Sequence, residues 1–452
     1  MTSSLPVAAE SATAETAVVR LSPHPAWDSF LLCGVFALLL FGPLAFGVRE
    51  PWSVFVLEAG AAALVVLWAW QQVACGELRV SGSPLFPPMI AFAALMLLQL
   101  ALGWTAYRHE TVSRAFLYCA YGAICFLLVQ CLRKAAQVKT LAIVLTAYGS
   151  ALALFAVLQS LGSNTKLYWL RTPRFGGWIY GPYVNHNHYA GLMEMLVPIP
   201  LVLALTGYVR GRHKILAAAA AAVMASTIFL SGSRGGMLAI AVEGVVLAAF
   251  LIKRQTGPRV ALALGAFLVI VVGLLTWLGG GELTKRMASI QSEAKAEISG
   301  GTRLAIDRDG LRMFAQRPVL GWGLGTFPEV YPQYRSFYTN FRVNAAHNDY
   351  VQLLVEMGAL GFAVMLWFVV ALYLRAVRKL HHWHSDLNGA IALTALLGCT
   401  GILVHSFLDY NLQIPANAAL FYAWSMLAAL EPRFAVSRRS HIPKADLMQA
   451  SA

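Results

Sequence analysis

The chain has 452 residues, of which 58% are hydrophobic and only 12% charged, and its mean hydropathy is +0.64. A soluble domain carries about twice that charged fraction, so the composition excludes a soluble globular enzyme. The formal net charge of +13 would point to nucleic acid in a soluble protein; here it fits the bias of Lys and Arg toward cytoplasmic loops, and no nucleic-acid partner is expected.

The first 28 residues are rich in Ala, Ser and Thr, with Arg20 the only basic side chain. They lack the basic start of a signal peptide and predict a disordered cytoplasmic tail. Apolar runs then predict spans near 29–47, 53–71, 84–103, 113–132, 139–160, 188–208, 214–231, 235–252 and 259–279. A large, partly helical loop follows over 280–348. Three more spans, near 349–373, 388–408 and 415–430, lead into a second tail over 431–452. Each span must satisfy its own backbone in lipid, so the expected fold class is an all-α polytopic membrane protein of about twelve transmembrane helices.

The basic residues set the orientation. Arg133, Lys134 and Lys139 flank one connection, and Arg210, Arg212 and Lys214 the next on that side. Lys253, Arg254 and Arg259 continue the series, then Arg375, Arg378 and Lys379, with Arg433, Arg438, Arg439 and Lys444 in the tail. These alternate as the positive-inside bias requires, so both termini are expected in the cytoplasm. The opposite side carries turns near Arg49 and Arg108, a loop over 161–187, the Ser231–Gly236 turn and the long loop. In a bacterium that side is the outer face of the inner membrane, where no ATP is available.

Several signals are bland. The six cysteines have no metal-ligand spacing and read as small hydrophobes. The His381-His382-Trp383-His384 run falls on the cytoplasmic side and reads as a solvated loop. Gly321-Trp322-Gly323-Leu324-Gly325 lacks the preceding strand of a dinucleotide loop and reads as a turn back to the membrane. No metal or cofactor site is expected.

The polar groups with chemical potential lie on the outer side. Between 280 and 347 there are nine Lys or Arg against six Asp or Glu, an excess that breaks the charge rule and suggests a bound anion. After Gly300-Gly301-Thr302, a helix from Arg303 to Phe314 would place Arg303 with Asp307, and Arg308 with Arg312, one turn apart, with Leu304, Leu311 and Phe314 able to face inward. Arg234 opens a helix after a glycine-containing turn, where free N–H groups and the positive helix end favour phosphate. A headgroup anchor accounts for it too.

Asn187 and His188, entering the sixth span among Tyr183, Tyr189 and Trp178, are candidates for hydrogen bonds to sugar hydroxyls. An aromatic belt with an Asn cap is the alternative. His405 and Asp409 lie one helical turn apart and can pair with each other, whereas Glu194, Glu243 and Glu356 within spans have no evident partners. Finally, His347 opens the tenth span. At about 100° per residue it shares a helix face with Val351, Leu354, Gly358 and Gly361, so two glycines would admit a neighbouring helix below it.

His347-Asn348, then nine residues, Gly358, two residues and Gly361, resembles the motif of the bacterial O-antigen ligases and the related O-antigen polymerases. Asn187-His188-Tyr189-Ala190, Ser233-Arg234-Gly235-Gly236, and Arg303 followed by Pro318-Val319-Leu320-Gly321-Trp322-Gly323 are similar to that superfamily's other landmarks, in the same order. The resemblance covers about residues 170–375. It implies a GT-C-like, metal-independent glycosyltransferase without cofactor, whose donor is a glycan on undecaprenyl diphosphate. The acceptor would be a sugar of lipid A–core for a ligase, or another lipid-linked glycan for a polymerase. His405 through Pro415-Ala416-Asn417-Ala418 is similar to members of the polymerase kind, so the two stay open.

On this reading Arg234 and Arg303, with Arg308 and Arg312 as further candidates, hold the diphosphate, and His347, next to Asn348, handles the acceptor hydroxyl. Asp307 and Asp349 are alternative bases. A transporter without chemistry would instead predict repeated halves and polar groups near the bilayer midplane.

Overall fold

The computed structural model describes residues 25–430, apart from 77, 163–165, 174–177, 207, most of 255–270, 274–300, 340–341 and 385. The expected tails (in all but 25–28), most of the ninth span and the first part of the long loop lie outside the described residues.

Every element among the described residues is helical. They are α1 (Pro25–Leu44), α2 (Pro51–Ala74), α3 (Phe86–Ala101), α4 (Arg108–Cys131), α5 (Ala135–Gly162), α6 (His186–Leu196), α7 (Pro198–Leu205), α8 (Arg212–Ser231) and α9 (Arg234–Lys253). After the long loop begins come α10 (Gly301–Gln316), the short α11 (Phe327–Val330), α12 (Asp349–Lys379), α13 (Leu387–His405) and α14 (Pro415–Ala429). No strand occurs among the described residues beyond two isolated bridges.

Nine segments among the described residues are long and apolar enough to cross a membrane, with α6 and α7 forming one of them around Pro198. The spans expected at 84–103 and 415–430 are shorter helices, of 16 and 15 residues. Every residue of α14 is buried by the other helices, so it need not match the thickness of the lipid.

Burial separates centre from periphery. In the α6–α7 segment 94% of the apolar window is buried inside the protein, against 28% for α2, so α6–α7 is central and α2 faces lipid. α13 reaches the centre through small residues: a Cβ on Gly398 would lie 3.0 Å from the Met195 Cα of α6. The connections alternate between two ends of this bundle. At one end, Arg133 meets Asp28 and Lys379 bonds the Ala428 carbonyl at 2.7 Å. At the other, Arg171 meets Glu50, Ala106 N–H bonds Trp322 O and Asp349 N–H bonds Ser406 O.

α12 departs from the continuous helix expected over 349–373. Gly358 has φ 65° and ψ −170°, a left-handed value that a side chain would strain, and it breaks the helix. The backbone groups freed on either side are taken by the loop after α10. Trp322 and Gly323 N–H bond the Val355 and Glu356 carbonyls at 2.9 Å each, while Ala359 and Leu360 N–H bond the Pro318 and Val319 carbonyls. The Gln99 side chain of α3 adds a bond to Glu356 O at 2.9 Å, and the Glu356 carboxylate accepts from Gly325 N–H at 2.8 Å and Gln352 at 3.0 Å. Backbone of this kind is tolerated in a membrane because protein covers it. The seam expected at Gly358 is therefore a loop-filled break, since a Cβ there would lie 2.3 Å from Val319 O.

The long loop packs over the first turns of α12. Ile306 and Met313 of α10 join Phe327, Val330, Tyr331, Ala346, Val351 and Val355 in one buried cluster. Leu304 and Leu311, expected to face inward, are exposed. The inward face carries Asp309 instead, whose carboxylate accepts from Tyr331, Ser336 and Arg312, and hydropathy alone does not place a carboxylate inside.

Candidate active site

The first turn of α12 and the residues after α13 meet at one end of the bundle. Asn348 caps α12, accepting from Tyr350 and Val351 N–H at 3.1 and 3.2 Å. Asp349 staples the two elements, accepting from Ser406 Oγ at 2.8 Å and Leu412 N–H at 2.9 Å. This leaves His347 just outside the helix, with φ 57°. A left-handed histidine costs on the order of 1–3 kcal/mol and persists where surrounding contacts over-determine it.

Those contacts come from the end of α13. His347 Nδ1 lies 3.2 Å from Asp409 Oδ1, and its ring meets the Tyr410 ring edge-on at 4.9 Å. His347 is 29% exposed, and its Nε2 has no partner among the described residues. Asp409 is buried, and its second oxygen accepts from Asn187 Nδ2 at 2.6 Å. Burial by itself would raise the Asp409 carboxyl. The His347 hydrogen bond and charge, with His188 and Arg303 beyond, reverse this and hold it well below the usual carboxylate range.

The pairing of His405 with Asp409 expected from their spacing does not form. His405 turns inward to Glu194 of α6, at 2.7 Å, and Asp409 turns to His347. The reason is that α13 ends at His405: His405 still faces α6, and the turn that follows carries Asp409 to the loop end of the bundle. Among the glutamates without evident partners, Glu194 thus has His405, and Glu356 has the loop at the Gly358 break. Glu243 lies against Gly401, where a Cβ would fall 1.8 Å from its Oε1.

The remaining candidates divide. Arg303 reaches the same end of the bundle, its Nη1 bonding Leu408 O at 2.8 Å, and its charge acts on both Asp409 and Asp307. Asp307 faces Asn348, His347 and Arg303, and burial raises its carboxyl despite all three. Arg234 is exposed at the first residue of α9, where Ser233 caps the helix by accepting from Gly236 N–H at 3.1 Å. Gly235 packs on the His405 ring, so the start of α9 abuts the end of α13. Arg308 is exposed on α10, and Arg312 is tied to Asp309 at 3.2 Å inside the loop.

His188 is buried, edge-on to Tyr410 at 4.8 Å and 3.4 Å from the Asn185 amide. Asn187 and His188 are thus packed into the cluster behind His347. Sequence reasoning missed Asp409 and Tyr410 as members of it. Their signal was a run of polar residues, Asp409-Tyr410-Asn411, directly after an apolar span.

The helical bundle thus brings a histidine–carboxylate pair and arginines together at one end. Residues 219–366 match the family model described as O-antigen ligase, and for this stretch the match supports the O-antigen ligase and polymerase superfamily. The match takes in Arg234, α10, His347 and the Gly358 break, whereas Asp409 and the Asn187-His188 entry lie beyond it. No curated protein matches the chain.

Proposed function

We propose that this protein is an O-antigen ligase: it moves a glycan from undecaprenyl diphosphate onto a sugar hydroxyl of lipid A–core at the periplasmic face of the inner membrane. The observation that carries the reading is His347, held in a left-handed conformation with Asp409 behind Nδ1 and with no partner for Nε2 among the described residues, within reach of Arg303's charge. The orientation rests on Arg133, Arg212, Lys253 and Arg378, which gather at the end of the bundle opposite His347.

The chemistry is a single displacement. Asp409 fixes the His347 ring, and Nε2 takes the proton of the acceptor hydroxyl. The hydroxyl oxygen bonds to the anomeric carbon as the bond from that carbon to the diphosphate oxygen breaks, and the electron pair leaves with the diphosphate. The proton then passes from His347 to water. Arg303 and Arg234 offset the charge that develops on the leaving group, a task that needs no ATP and no metal ion. Attack opposite the leaving group inverts the anomeric centre.

The test is transfer by the purified protein from an undecaprenyl-diphosphate glycan to lipid A–core in the presence of a chelator. Either His347→Ala or Arg303→Ala should reduce the rate by about 10²–10⁴-fold. Undiminished transfer by His347→Ala, or a strict need for a divalent cation, would overturn the assignment. Gene deletion separates the two subfamilies: loss of a ligase leaves bare core with lipid-linked polymer accumulating, and loss of a polymerase leaves single repeats.

A further inference from the structure

A second cationic group reaches the His347 cluster from the other side of the chain. Between α1 and α2, Phe46, Gly47 and Val48 have φ of 59°, 74° and 62° in succession. For Val48, β-branched and fully buried, this is a genuine outlier that costs on the order of 1–3 kcal/mol. Neighbouring elements pin the loop. The Gly47 carbonyl accepts from Ala416 N–H at 3.2 Å, and a Cβ on Gly47 would lie 2.7 Å from the Tyr183 ring. Tyr168 donates to the Leu44 carbonyl at 2.7 Å, and the Arg171 guanidinium lies 5.0 Å over the Phe46 ring.

What this strained loop presents is Arg49. The side chain is exposed, and its guanidinium sits 5.8 Å from the centroid of the Tyr410 ring. That ring also meets His347 at 4.9 Å and His188 at 4.8 Å. Glu50, the adjacent carboxylate, is turned away to Arg171 at 2.8 Å, and no carboxylate among the described residues pairs with Arg49. The two arginines come from different elements and act on different neighbours. Arg303, on α10, bears on Asp307 and Asp409, whereas Arg49 bears on His188 and Tyr410.

We propose that Arg49 is an anion anchor for the acceptor, binding a phosphate of the incoming glycolipid while the donor diphosphate occupies Arg303 and Arg234. A fixed guanidinium beside the ring that holds His347 would set the acceptor hydroxyl by a charge-assisted contact to a neighbouring phosphate. A glycolipid phosphate supplies the fork of oxygens that Arg binds best. The backbone strain then has a use: it turns Arg49 toward Tyr410. This inference rests on the glycosyl-transfer reading above and deepens it.

The test measures kcat/KM of the full-length protein with lipid A–core as isolated and with the same acceptor stripped of its core phosphates. The wild type should prefer the phosphorylated acceptor by about tenfold, Arg49→Ala should lose that preference, and Arg49→Lys should keep part of it. The donor KM should not move. Because Arg49 is exposed, an unchanged melting temperature will show that the variant is folded. A preference that survives Arg49→Ala, an equal loss with both acceptors, or a raised donor KM would each overturn the anchor while leaving the transfer reaction standing. A wild type that transfers to neither acceptor removes the transfer reading and the anchor together.

Discussion

Two polar clusters are built on the same helix, about ten residues apart, and they are finished differently. At the Gly358 break every freed backbone group named above has a partner, and Glu356, Gln352 and Gln99 fill the rest. At the start of the helix His347 is fixed on one side by Asp409 and, among the described residues, left open on the other. A saturated polar cluster in a membrane protein costs little and does nothing further; its work is to hold backbone. A half-saturated one retains a group able to act on something that arrives. The difference separates scaffold from site more sharply than burial or charge does, since each cluster contains a buried carboxylate.

The comparison can be broken at either cluster, and the largest effect is expected at the saturated one. Gly358→Ala places a Cβ 2.3 Å from Val319 O in a left-handed conformation, so we expect a loss of about 3 kcal/mol or more. It should be seen as poor accumulation in the membrane and a lowered melting temperature. A stable Gly358→Ala protein would mean that the break is not structural.

Next comes Asp409→Asn, which removes the charge that orients His347 while keeping the shape. Transfer should fall about 100-fold, a larger effect than the modest drop in melting temperature from losing the charge beside the partly exposed His347. Equal losses of activity and stability would place Asp409 with the scaffold.

The smallest effect is a pH dependence. The folded pKa of Asp409 lies below its unfolded value, so its contribution is fully present above the ordinary carboxylate range, about 3.9, and is lost only as pH falls through the depressed value. The melting-temperature gap between wild type and Asp409→Asn should therefore not shrink between about pH 7 and about pH 5. A gap that closes in that window would show that Asp409 is not held ionised by its neighbours.

How far these features could be read in advance depended on their range. Asn348 as a cap, Ser233 at the start of α9 and the prolines that open α2 and α14 are local events, set by a few consecutive residues. Gly358 was visible as a glycine, but its neighbour is a loop some forty residues earlier, and periodicity alone made it a seam between helices. Arg49 read as a residue in a short turn, because nothing in its own neighbourhood says that Tyr410 lies beside it.

By itself the sequence determined that the chain is a helical membrane protein, which residues could carry charge at the end where His347 lies, and that His347 begins a helix. Hydrophobic length, helix caps and the siting of Lys and Arg are properties of short stretches, so they survive without a fold. Only the tertiary structure decided that Asp409 pairs with His347 rather than with His405, that His405 belongs to Glu194, and that Arg312 serves the loop's own core. Each of these choices lies between groups of the same chemistry. What separates them is distance across the bundle, which the packing of α6, α13 and α14 sets and the order of residues along the chain does not contain.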